Sequence, residues 1–180
     1  MRIMKSLTKK INKMQIPKRV LIYGYGNPGR QDDALGNEMV EKIQEWIEEH
    51  GLKCMQTDSN YQLNIEDAEK ISDWEVVVFV DASQEDIHEY RFQKVDPSDA
   101  QVEFTMHAVS PAYVLHLSEK LFSKKPETYV LAIKGFEWDF KEGLSDNAKL
   151  NLEQSFQFLT RKLARWAYIK DNLPISMLRE

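Results

Sequence analysis

The chain has 180 residues, 42% of them apolar and 29% charged, with a formal net charge of −5; this is the composition of one globular domain with a sizeable core. No uninterrupted apolar run approaches the ~20 residues that span a bilayer, so no membrane-inserted helix is expected. The single cysteine, Cys54, has no partner for an internal disulfide and reads as a buried thiol in a strand, in keeping with a reducing, cytoplasmic setting.

Charge is unevenly placed. Residues 1–31 carry eight Lys or Arg and no acid, leaving 16 basic and 29 acidic residues in the rest, a balance of −13. Within residues 1–17, Arg2, Lys5, Lys9, Lys10 and Lys13 alternate with Ile3, Met4, Leu7, Ile11 and Met14, the pattern of a weakly amphipathic arm. It has neither the apolar stretch nor the small-residue cleavage site of a secretory signal. Such arms are usually solvated, and no contact with nucleic acid or membrane is expected of it.

Val20-Leu-Ile-Tyr is an apolar strand that breaks into Gly24-Tyr-Gly26-Asn27-Pro28-Gly29-Arg-Gln-Asp32-Asp33-Ala-Leu-Gly36. The spacing of Gly24, Gly26 and Gly29 satisfies the G-x-G-x-x-G dinucleotide fingerprint, and Asp58 stands where a ribose-binding acid would. Against that reading, Pro28 removes a backbone donor and Asp32 and Asp33 would set anions against a pyrophosphate. Two carboxylates at the mouth of a loop suit a cation better. Aspartate is also a preferred N-cap, so one of the pair is expected to cap the helix that follows. Gly24, Gly26, Asn27, Gly29 and Gly36 are assigned to shaping the loop, by positive φ or close backbone approach.

Beyond the loop, Leu35, Met39, Val40, Ile43, Trp46 and Ile47 recur at helical spacing up to Gly51. Residues 52–57 read as a strand ending at Asp58, and 63–72 as a helix. Residues 75–80, Glu-Val-Val-Val-Phe-Val, form the continuous apolar run of a strand covered on both faces, with Asp81 at its carboxyl end. Residues 89–95 follow after so short a connection that they are expected to pair antiparallel near an edge. A loop carries the chain past His107 to a helix whose inward face is Val109, Tyr113, Val114, Leu117 and Leu121. Residues 128–133 are a last strand. Residues 144–167 are a long helix striped by Ala148, Leu152, Phe156, Leu159, Leu163 and Trp166. Alternating βα units with one odd strand predict an α/β three-layer sandwich: about five strands in a mostly parallel twisted sheet with one antiparallel strand, and helices on both faces. Residues 18–170 make one domain, with 171–180 as a tail.

Gly24-Tyr-Gly26-Asn27 followed by Asp32-Asp33-Ala-Leu-Gly36 resembles the opening motif of the nickel-iron hydrogenase maturation endopeptidases. Tyr61-Gln62-Leu63 with Glu66-Asp67-Ala68, the strand ending in Asp81-Ala82, His107, Leu131-Ala-Ile133 and Glu142-Gly143-Leu144-Ser145 follow in the family's order. The resemblance spans roughly residues 20–165. It implies that Asp33, Asp81 and His107 bind nickel held by a hydrogenase large-subunit precursor, that the nickel comes with the substrate, and that Asp33 and Asp81 serve peptide-bond hydrolysis near the precursor's C-terminus. His50, His88 and His116 are read as surface or structural. A monomeric protease acting in the cytoplasm is the expectation. A nucleotide-binding oxidoreductase-like protein and a non-catalytic assembly module of the same fold are the alternatives.

Overall fold

The computed structural model describes residues 17–99 and 109–167. The basic arm up to residue 16, His107 and the tail from residue 168 lie outside the described residues. Five strands form a single sheet: β1 (Val20–Tyr25), β2 (Met55–Asn60), β3 (Val76–Ser83), β4 (Tyr90–Lys94) and β5 (Glu127–Lys134), in the order β2-β1-β3-β5-β4. All neighbours are parallel except β4, which pairs antiparallel with β5 at the edge, as its short connection to β3 requires. The helices are α1 (Leu35–His50), entered through a 3-10 turn at Gln31–Ala34, α2 (Asp67–Ser72), α3 (Pro111–Phe122) and α4 (Asp146–Trp166). Among the described residues no helix is long and apolar enough to cross a membrane.

The pleat sorts the core into two layers. Val20, Ile22, Val76, Val78 and Val80 face α1 and α4, where they pack with Leu35, Met39, Ile43, Leu159 and Leu163. Leu21, Tyr23, Val77 and Phe79 face the other way, against Leu63, Ala68, Ile71, Val114 and Leu115 on and around α2 and α3. The result is the three-layer sandwich expected from the alternating elements. β1 and β3 sit at the centre, buried on both faces.

Several details differ from the sequence pattern. β2 begins at Met55, three residues late, because α1 ends in a left-handed Gly51 and the chain turns through residues 51–54 before it can pair. Cys54 therefore lies half-buried in that turn rather than in a strand, and burial pushes its thiol pKa up. The helix expected from residue 63 starts only at Asp67. The buried Asp67 carboxylate accepts from the Tyr23 hydroxyl at 2.9 Å and from the Asn64 amide at 2.8 Å, holding the preceding residues in turns. On α3, Val114, Leu115 and Ser118 are buried but Leu121 is 64% exposed, so the inward face is narrower than its apolar spacing suggests.

The tightest packing lies where β1 meets α1. A Cβ on Gly24 would stand 2.1 Å from the Gly36 carbonyl oxygen, and one on Gly36 would stand 2.4 Å from the Tyr25 carbonyl and 2.6 Å from that of Val80. Gly24→Ala should accordingly cost roughly 2–4 kcal/mol of stability, since backbone is what it meets. Gly51→Ala, with open space around it and only its φ of +61° to strain, should cost about 1 kcal/mol. Urea unfolding of the two variants measures the difference.

Candidate active site

In a doubly wound sheet the ligand crevice opens at the carboxyl ends of the strands where the order reverses. Here β1 is followed by β2 on one side and neighboured by β3 on the other, which puts the crevice between the Gly24–Asp33 loop and the end of β3. Gly26 makes the first bend, with φ +145° and room for no side chain, since a Cβ would lie 1.9 Å from the Asp33 carbonyl oxygen. Asn27 closes the loop: its Oδ1 accepts from the Gly29 amide at 2.9 Å and its carbonyl from the Arg30 amide at 3.0 Å. Gly29 itself has ordinary φ and only the Asn27 side chain near it. Its expected role in positive φ or close backbone approach is not what the loop uses; the amide is.

The loop's donors are spent internally. The Gly26 amide donates to the Asn60 carbonyl at 3.2 Å, and the Asn27 amide to Asp33 Oδ2 at 3.1 Å. Asp58 pairs with Lys70 at 2.5 Å. A dinucleotide would need those amides and that acid, so the glycine spacing here serves another purpose.

The adjacent aspartates have opposite fates. Asp32 has no exposed surface; Oδ2 accepts from the amides of Phe136 (2.7 Å) and Glu137 (2.9 Å) and from Ser145 Oγ (2.7 Å), while Oδ1 accepts from the Ser145 amide (2.7 Å). Burial pushes its pKa up, but these donors outweigh it and hold the carboxyl below its ordinary range. Neither aspartate caps its own helix by a side-chain bond. The amides that would need capping, those of Gln31 and Asp32, already donate to the carbonyls of Lys141 (2.8 Å) and Glu137 (3.1 Å). Asp32 instead anchors Ser145, the N-cap of α4, whose Oγ accepts from the Ala148 amide.

Asp33 is half-buried, with Oδ2 held by the Asn27 amide. Asp81, two residues before the end of β3, feels its charge. Burial pushes the Asp81 pKa up to about 7; hydrogen bonds from the Tyr25 hydroxyl and the Ala82 amide pull it down, and the nearby Asp33 carboxylate pushes it up again. Tyr25, half-buried at the end of β1, has its own pKa raised by desolvation of its hydroxyl and by Asp81. Sequence reasoning passed over Tyr25; its only signal was an aromatic hydroxyl between Gly24 and Gly26. Among the described residues no three His, Cys, Asp or Glu are grouped to hold a metal ion. Asp33 and Asp81 are two oxygen donors of such a set, and His107 lies outside the described residues.

No family model and no curated protein matches the sequence. Solved structures do match. HycI, a [NiFe] hydrogenase maturation protease from Thermococcus kodakarensis KOD1, aligns over 87% of this chain and 98% of its own with a TM-score of 0.65 and 19% identity. HybD, a hydrogenase maturating endopeptidase from E. coli, aligns over 82% and 93% with a TM-score of 0.60 and 14% identity. The hydrogenase 2 maturation peptidase of a Thaumarchaeota archaeon aligns over 82% and 99% with a TM-score of 0.56 and 18% identity. The chain has the fold of the hydrogenase maturation proteases. The alignment spans nearly the whole length of each of the three.

Two measurements follow from the aspartates. Because the Asp81 pKa is raised on folding, the native state binds more protons than the unfolded one between about pH 4 and 7, and stability falls as pH rises through that window. Asp81→Asn should flatten this slope and stabilise the protein at neutral pH, read from urea midpoints in the presence of a chelator. Asp32→Asn should instead destabilise by roughly 2–4 kcal/mol, since buried donors lose a charged acceptor. Asp32's folded pKa is depressed, so its contribution is full above about pH 4 and lost as pH falls through the folded value; the deficit of the variant should shrink in acid.

Proposed function

We propose that the chain is an endopeptidase that removes a short C-terminal peptide from the nickel-loaded large-subunit precursor of a nickel-iron hydrogenase. The observation that carries this is the placing of Asp33 near a half-buried Asp81 at the switch-point crevice of a maturation-protease fold. The nickel belongs to the substrate. Asp33 and Asp81 offer it carboxylate oxygens, with His107 as the third ligand implied by the resemblance, and the ion fixes the precursor's scissile bond against this edge.

Asp81 has two carboxylate oxygens, one to meet the ion and one to exchange a proton; the pKa of about 7 is that of the site without metal. In its ionised form it takes a proton from the attacking water as the oxygen adds to the scissile carbonyl carbon. The same carboxyl then gives that proton to the leaving amide nitrogen as the C–N bond breaks. The Tyr25 hydroxyl, bonded to Asp81, keeps the carboxylate aimed into the crevice. No serine or cysteine nucleophile is required. The lone Cys54 sits in the turn before β2, and the cytoplasm, where hydrogenase precursors would be met before assembly, is the proposed compartment.

Incubation with nickel-loaded precursor and measurement of tail release by mass tests the proposal. Asp33→Asn and Asp81→Asn should each lower cleavage by roughly 10²–10⁴-fold while the circular dichroism spectrum is retained. Binding of the precursor by the wild type with no release of the tail would instead support an assembly module of the same fold.

A further inference from the structure

The segment from Gly135 to Ser145 is held far more firmly than its own packing explains. Asp32 takes three of its backbone amides and one hydroxyl. Gln31, 3% exposed and at a positive φ of 45°, donates from Nε2 to Glu137 Oε2 at 2.6 Å and accepts from the Asp139 amide at 3.1 Å. Gly135 is pressed between the Trp138 ring and Asp32, and its amide donates to the Ser83 carbonyl at 3.0 Å. A non-glycine residue in left-handed conformation and a fully buried charge are both costly, and such costs gather where geometry is needed for binding.

What this scaffold presents is apolar and wet. Phe136 is 44% and Phe140 87% exposed. The Arg30 guanidinium lies 5.4 Å from the Phe140 ring centre, and the Asp33 amide donates to the Arg30 carbonyl, so Phe140 stands beside the acidic edge. Phe136 lines a cavity of about 350 Å³ whose other walls include Asp86, Ile87, His88, Glu89 and Lys134. In the sheet register Lys134 is opposite Ser83, two residues beyond Asp81 and its partner Ala132. At about 3.3 Å per residue the rim of the cavity is roughly 7 Å along the strand from the Asp81 position, the span of two residues of extended peptide.

We propose that this cavity, walled by Phe136 and flanked by the exposed Phe140 of the same segment, is the subsite for the substrate polypeptide next to the bond that is cut, and that Asp32 is a positioning residue that keeps the segment preformed. The inference rests on the peptidase reading and adds to it where the substrate chain lies. Its occupant is an extended segment with an apolar side chain: two exposed aromatic rings on a fixed backbone offer contact area at little ordering cost. The polar lining, with Asp86 already paired to Lys134 at 3.0 Å, leaves Glu89 and His88 to meet the segment's backbone.

Steady-state cleavage of the nickel-loaded precursor by the full chain tests this. Phe136→Ala/Phe140→Ala should raise KM about tenfold with kcat within about twofold, and the circular dichroism spectrum should be retained. Asp32→Asn should raise KM and speed amide hydrogen exchange across residues 136–145, and Phe136→Leu alone serves if the double variant folds poorly. Wild-type turnover with unchanged KM in the aromatic variants overturns the subsite and leaves the peptidase intact. Binding without cleavage by the wild type overturns the peptidase, and the subsite is then judged by whether Kd rises in the same variants. Neither binding nor cleavage by the wild type overturns both.

Discussion

Everything at the functional edge depends on two peptide backbones touching. Gly24 in β1 and Gly36 in α1 lie so close that a methyl group on either would collide with a carbonyl oxygen. This contact seats the start of α1 on the ends of β1 and β3 and leaves the 3-10 turn of Gln31–Ala34 nowhere to go but over the crevice. The turn in turn fixes which way Asp33 and Asp32 point. One glycine pair therefore converts a sheet topology, which many proteins share, into a crevice with a carboxylate at its mouth.

Adjacent aspartates on a 3-10 turn face different ways, and the protein uses the difference. Asp32 goes inward and is fully satisfied by donors from a distant loop; Asp33 goes toward the crevice with one oxygen tied to Asn27. A buried carboxylate without those donors would be expelled or neutralised. With them it remains ionised and acts as a fixed point about which residues 136–145 fold. Asp81 is the contrasting case, since burial with few donors leaves it reluctant to ionise. Three carboxylates within one edge thus hold three different environments.

Much of this architecture was legible from local pattern. Val76–Val80 is buried on both faces and shows no alternation, and the short link from β3 to β4 forced an antiparallel edge. Asp33 and Asp81 were visible because strand ends in an α/β sheet share one edge. Other features were not legible because their cause is remote. Nothing near Asp32 in sequence announces that its acceptors' partners lie 104 to 113 residues away. Tyr25 looks like a filler between glycines until Asp81 is placed beside it. Leu121 obeys helical spacing yet lies in water, since the width of a buried face is set by the neighbouring helix and not by the helix that carries it.

The same division explains how the fold can match while the sequence does not. Inward positions of a sheet such as Val20, Ile22, Val77 and Phe79 need only be apolar and of suitable volume, so they can be exchanged freely among Val, Ile, Leu and Phe without altering the layers. Surface positions on α1 and α4 need only be polar. The residues with a geometric duty are Gly24, Gly26 and Gly36, where backbone approaches backbone, and Asp32 and Ser145, which join the first loop to the last helix; Asp33 and Asp81 stand beside them. They are too few and too scattered along the chain to dominate a comparison of sequences. In three dimensions they come to a single edge of the sheet.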